Sequence, residues 1–164
     1  MNQTLRVVFA ALFGFAAMGV TAAEDSGKEE PPLTPAEMWE GDRSLEFDAV
    51  ELNLDDFLWI ARPVVIFAET PADPSLQQQL QLLADRKDEL AERDVVVIVD
   101  TNPEAKSPLR QKLRPRGFML VLIGKDGNVK LRKPFPWDVR ELTRVIDKSP
   151  VRQQEVRDRR NLAQ

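Results

Sequence analysis

Apolar positions along the chain fall into a small number of clean patterns. Pro63-Val64-Val65-Ile66-Phe67-Ala68 is a continuous β-branched run of the kind that forms a strand buried on both faces. From Ser75 to Glu92, Leu76, Leu80, Leu83, Leu90 and Ala91 recur at three-, four- and seven-residue spacing, which predicts one amphipathic helix with Ser75 as its N-cap. Val95 to Val99 is a second buried strand, so strand, helix and strand form a right-handed parallel crossover. A short basic helix through Arg110, Lys112 and Leu113 follows and stops at Pro115. Phe118 to Ile123 is a third apolar strand. It turns at Gly124-Lys125-Asp126-Gly127 and returns as Asn128 to Arg132, a β-hairpin. Trp137 to Lys148 is a last amphipathic helix, with Val139, Leu142, Val145 and Ile146 inward.

The resulting order, β-α-β-α-β-β-α, is that of a thioredoxin-like α/β fold: a central mixed sheet with helices on both faces. Two further elements are expected before it. Asp48 to Leu52 reads as an added edge strand, and Leu54 to Ile60 as a short helix that carries Trp59 into the core.

The chain ahead of these elements has a different character. A cationic start, Met1 to Arg6, precedes an uncharged apolar stretch ending in Val20-Thr21-Ala22-Ala23, the three parts of a secretory signal peptide over residues 1–23. An uncleaved membrane anchor is the alternative, because the run from Val7 to Ala23 is at the short edge of what spans a bilayer. Residues 24–44, rich in Glu, Asp and Pro, read as an acidic disordered linker in which Met38 and Trp39 are the only large apolar side chains that could dock. The domain proper is expected over 45–157, with a basic tail over 158–164. A periplasmic or secreted bacterial protein is the setting this implies, with no stable membrane insertion once the signal is removed.

Composition narrows the chemistry. Among 164 residues there is no Cys, no His and no Tyr. The chain itself therefore supplies no thiolate, no disulfide and no imidazole for proton transfer near neutral pH. Charge is uneven: residues 24–100 carry six basic and 20 acidic side chains, residues 101–164 carry 16 basic and seven acidic. Such polarity would steer an anionic partner to the second half, or the halves neutralise each other once folded. The net charge of −4 and the export signal argue against nucleic acid as the target of the basic residues Arg152, Arg157, Arg159 and Arg160.

The segment Gly117-Phe118-Met119-Leu120-Val121-Leu122-Ile123-Gly124-Lys125-Asp126-Gly127, continuing to Arg132, then Val145-Ile146-Asp147 and Pro150-Val151-Arg152-Gln153-Gln154-Glu155-Val156-Arg157, with Trp59, Arg62 and Pro63 ahead of the first long strand, resembles the family called domain of unknown function 4174. The resemblance covers roughly Leu45 to Arg157. It implies a thioredoxin- or peroxiredoxin-like domain of the sort found in small exported bacterial proteins and in animal extracellular proteins with sushi repeats. In thioredoxins a Cys-x-x-Cys pair follows the first core strand; on the simplest register those positions fall on Pro71 and Pro74, and neither carries thiol chemistry.

Four cations remain as the candidate site. The hairpin turn exposes Lys125, strict alternation puts Lys130 and Arg132 on one face of the returning strand, and Arg152 would fold back to join them. Together they would grip a carboxylate, phosphate or sulfate. The plainer alternative has Lys125 solvating its turn and Arg152 pairing with Asp147 or Glu155. Asp55, Asp56, Glu69 and Asp100 are candidate hard-metal ligands at strand ends, although helix capping and solvation explain them equally. No cofactor and no metal is expected. The sequence thus favours a non-catalytic binding or adaptor module of the bacterial envelope, its partner an envelope protein or a small anionic ligand. The alternatives are an enzyme or anion-binding protein using carboxylate, Lys or Arg groups at the strand ends, and a thiol-free helper of a redox protein.

Overall fold

The computed structural model describes residues 31–50 and 52–164; the expected signal segment and the first part of the linker lie outside them. The elements, in order, are α1 (Pro35–Gly41), β1 (Glu46–Asp48), a 3-10 turn (Leu54–Phe57), β2 (Arg62–Phe67), α2 (Pro74–Ala84), α3 (Lys87–Ala91), β3 (Val95–Asp100), a second 3-10 turn (Pro103–Ala105), α4 (Pro108–Leu113), β4 (Met119–Ile123), β5 (Val129–Lys133), α5 (Val139–Asp147) and α6 (Pro150–Leu162). The sheet runs β1-β3-β2-β4-β5. β1, β3 and β2 are parallel, whereas β4 and β5 are antiparallel to their neighbours.

Each central strand divides its side chains between two cores, as the two-residue period of a strand requires. Val65 and Phe67 of β2, Val96 and Ile98 of β3, and Val121 and Ile123 of β4 pack with Trp39, Phe57, Leu109 and Leu113 on one face. Val64, Ile66, Val95, Val97, Leu120 and Leu122 pack with Leu76, Leu83, Leu142 and Ile146 on the other. The sheet is therefore sandwiched between α1 and α4 on one side and α2, α3 and α5 on the other, the thioredoxin-like arrangement expected from the order of elements.

Several expectations need correction. Over its described part the linker is ordered: Thr34 and Glu37 close a reciprocal capping box with Pro35 at the first helical position, and α1 buries Trp39 completely. The edge strand forms at Glu46–Asp48, ahead of the expected Asp48 to Leu52. The expected 75–92 helix is two helices; Asp73 caps the first, and Arg86, with φ −136°, interrupts the helical backbone before α3. Trp59 does not enter the core; it is 67% exposed with φ +62°. The basic tail forms the end of α6, which runs to Leu162. No helix among the described residues is long and apolar enough to cross a membrane.

Candidate functional site

The two ends of the sheet differ in chemistry. At the carboxyl ends of β2 and β3, Asp100 closes β3 and is buried. Ser107 donates to its Oδ2 at 2.5 Å and Arg110 donates through Nε to its Oδ1 at 2.7 Å. Arg110 also donates to the carbonyls of Ala68 (2.6 Å) and Asp100 (3.1 Å) and lies over the Phe67 ring. Ser107 further caps α4 by accepting from the Arg110 N–H. This is where the β2–α2 connection Glu69-Thr70-Pro71-Ala72-Asp73 runs. A buried carboxylate held by this many donors is a structural tie, since each partner satisfies a group that would be costly to leave bare.

The opposite end, at the amino ends of β2 and β3, holds a larger ionic network. Arg62 heads β2 and is buried; it donates to the Arg93 carbonyl at 2.9 Å and to Glu155 of α6 at 2.9 Å. Lys125, in the hairpin turn, bridges Asp94 (2.8 Å) and Glu155 (3.2 Å). Arg43 reaches the other oxygen of Asp94. Arg152 is only 4% exposed at its side chain and stands near Glu92 (3.3 Å), Glu155 (3.5 Å) and Asp147 (3.8 Å). Burial works to raise the carboxyls of Asp94 and Glu155, but the hydrogen bonds and charge of Lys125 with Arg43 and Arg62 respectively outweigh it and hold both below their ordinary values.

Beside this network lies a groove of about 210 Å³ between the β4–β5 hairpin and the α5–α6 junction. Leu122, Val145, Ile146 and Val151 form its apolar walls, and Lys125, Lys130 and Ser149 stand on its rim. Gly124 leaves room for the Lys130 stem: a Cβ there would lie 2.6 Å from Lys130 Cε. Lys130 donates to Asp126 at 2.7 Å. Burial works to raise the Asp126 carboxyl, yet hydrogen bonds from Asn128 and Lys130 overcome it and hold its pKa at about 2. Next to the same turn, the Trp59 N–H donates to the Lys125 carbonyl at 2.8 Å, and Leu58 packs over Gly127, where a Cβ would sit 2.9 Å from Leu58 Cδ2. A bulky residue at φ +62° is strained, and here the hairpin fixes it while its indole stays in solvent.

The four cations singled out in the sequence do not form one cluster. Lys125 and Arg152 meet through Glu155, and Lys130 lines the adjoining groove. Arg132 lies on the other face of the sheet, where it donates to the Leu113 carbonyl at the end of α4. The reason is a bulge: Leu122 pairs with Leu131 but Ile123 with Val129, so one extra residue breaks the alternation between Lys130 and Arg132. Arg152 pairs with Asp147 and Glu155, as the plainer reading had it, while Lys125 is ion-paired rather than free in its turn. Of the acidic candidates, Asp100 and Glu69 face Arg110 and Asp55 faces Lys112. No group of three potential metal ligands occurs among the described residues. Asp94–Lys125, Asp100–Arg110 and Glu92–Arg152 are ion pairs between the acidic first half and the basic second half.

Sequence reasoning missed Arg62, Asp94 and Glu155 as site residues. The available signal was a charged residue directly heading each of two apolar strands, Arg62 before Pro63-Val64 and Asp94 before Val95-Val96, which adjacency in a parallel sheet brings together.

Residues 53–155 match the family model described as Domain of unknown function (DUF4174). Among solved structures the chain is similar to the reduced 2-Cys peroxiredoxin of Plasmodium vivax, with TM-score 0.51 and 16% identity over 63% of this chain and 85% of that one. It is also similar to a cysteine-to-serine mutant of peroxiredoxin 6 from Arenicola marina, with TM-score 0.47 and 18% identity over 58% of this chain and 64% of that one. At 16% identity the likeness to the Plasmodium vivax structure speaks for the fold alone. None of the curated proteins matches the chain.

Proposed function

The chain belongs to the family described as domain of unknown function 4174, and from the signal-like pattern of residues 1–23 and the chemistry of its two sheet ends we propose that it is a non-catalytic, exported binding or adaptor module of the bacterial envelope. The observation that carries this reading is Trp59, a large aromatic held in a strained left-handed conformation, two-thirds exposed, against the hairpin turn that rims the groove. Strained backbone positions cluster at functional sites, and tryptophan, with tyrosine and arginine, is enriched among the residues that dominate protein interfaces. The carboxyl ends of β2 and β3, where thioredoxins place their thiols, carry instead the closed Asp100–Ser107–Arg110 tie.

An enzyme using the strand-end carboxylates is less well supported. Asp94 and Glu155 are ion-paired and held below ordinary carboxylate values, which suits anchoring and not proton transfer near neutral pH.

The test is crosslinking in intact producing cells, with captured proteins identified by mass spectrometry. Wild type is compared with Trp59→Ala and with Asp88→Ala, a control on the exposed side of α3. Recurrent partners that fall at least fivefold with Trp59→Ala and persist with Asp88→Ala are expected. Capture of the same set by both variants, or no capture at all, would overturn the reading.

A further inference from the structure

We propose that the groove between the β4–β5 hairpin and the α5–α6 junction binds a small monocarboxylic acid with an apolar tail. The assignment rests on the reading of this end of the sheet as the binding end and specifies what that end holds.

Size limits the occupant. At about 210 Å³ the groove is smaller than the ~300–1,000 Å³ sites that enclose drug-sized ligands, and at ~30 Å³ per water it equals about seven water molecules. A group of about eight non-hydrogen atoms fits that space. Leu122, Val145, Ile146 and Val151 provide walls for a branched aliphatic tail.

Hydrogen-bonding capacity at the rim selects the head group. Lys130 Nζ has three N–H donors and makes one hydrogen bond, to Asp126, while Lys125 Nζ makes one, to Asp94, and is ion-paired with Glu155 at 3.2 Å. Ser149 Oγ accepts from the Arg152 N–H and its own O–H has no partner among the described residues. The Val151 N–H is likewise unpaired there, since Pro150 begins α6 and Ser149 caps Arg152. Against these open donors the lining offers one carboxylate, Asp126, which already accepts from Asn128 and Lys130. Arg62 and Lys125 add positive charge, balanced behind the wall by Glu155 and Asp94. The rim thus has donors to spare and its acceptors are occupied, the complement of a carboxylate. Lys130 is the best placed to take it, because it is a third exposed and has donors in reserve.

The experiment is a titration of the full chain with 4-methylpentanoate and, separately, with 4-methylpentanamide, followed by two-dimensional amide NMR. The acid should give saturable shifts at Val145, Ile146 and Val151 at millimolar concentration, with the amide at least tenfold weaker. Lys130→Met should weaken the acid at least tenfold and leave the amide unchanged. Val151→Trp, at a half-buried wall residue that belongs to neither buried core, should abolish both. Several results would each overturn the assignment: equal binding of acid and amide, no binding of either by 20 mM, or shifts centred on Arg157 and Arg160. So would binding of a leucine-terminated peptide in place of the free acid. Failure here with Trp59-dependent capture intact removes the small acid alone, whereas loss of capture with acid binding intact removes the partner-binding module alone.

Discussion

Trp59 concentrates the conflict between stability and exposure in one residue. Its φ of +62° costs about 1–2 kcal/mol for an L-residue, and its exposed indole returns little of that through burial. Glycine removes the penalty and alanine keeps it, while both delete the ring. Trp59→Gly is therefore expected to exceed Trp59→Ala by about 1 kcal/mol in urea unfolding, even though glycine has the larger unfolded-state entropy. Equal stability of the two variants would mean that the hairpin does not hold position 59 in the left-handed region. At the other end of the sheet Arg110 is a contrasting case, because every hydrogen bond its guanidinium donates goes to Asp100 or to the carbonyls of Ala68 and Asp100. Arg110→Ala leaves the Asp100 carboxylate buried with Ser107 as its remaining side-chain donor, and should cost about 3–5 kcal/mol in the same assay. A loss under 1 kcal/mol would show that water replaces the guanidinium without penalty.

At the scale of elements, α6 depends on charge. It is mostly polar, and its one fully buried side chain is Arg152. Arg152→Ala removes the contacts to Glu92, Asp147 and Glu155 and should raise amide exchange across 150–162 by at least tenfold while β2, β3 and β4 keep their protection. Unchanged exchange in α6 would assign its docking to Val151 and Val156 instead. The same fact explains what was legible in the sequence. The runs of β2, β3 and β4 announced themselves because both of their faces are buried, and α5 because its apolar residues form one stripe. α6 has no such stripe, so periodicity could not find it. The break between α2 and α3 has no Gly or Pro to mark it; the backbone of Arg86 makes it. α1 was readable from Thr34-Pro35-Ala36-Glu37, a capping box with proline at the first helical position, but the acidic, proline-rich composition around it pointed the other way. The candidate site was half legible. Turn chemistry identified Lys125 and strand alternation identified Lys130, whereas the bulge that sends Arg132 to the opposite face is a property of register that alternation cannot reveal.

For the whole molecule, the ionic networks and the missing histidine together set the response to pH. Asp94, Glu155 and Asp126 all have carboxyls below their ordinary values of 3.8, 4.5 and 3.8, Asp126 at about 2. A carboxyl with a lower pKa in the folded than in the unfolded state favours folding while it is ionised. Its contribution is complete above the unfolded value and disappears as pH falls through the folded one. With no imidazole or thiol in the chain, no side chain with an ordinary pKa titrates between about pH 5.5 and 7. Urea midpoints should therefore be flat from pH 7 to 5.5 and then decline steadily from about 4.5 to 2.5. Asp126→Asn should flatten the lowest part of that decline, because it deletes the group that holds its proton least readily. A midpoint that falls between pH 7 and 5.5 would contradict this account and require a carboxyl raised by burial. A wild-type curve still level at pH 3 would show that the cations around Asp94 and Glu155 stabilise the fold no more than water does.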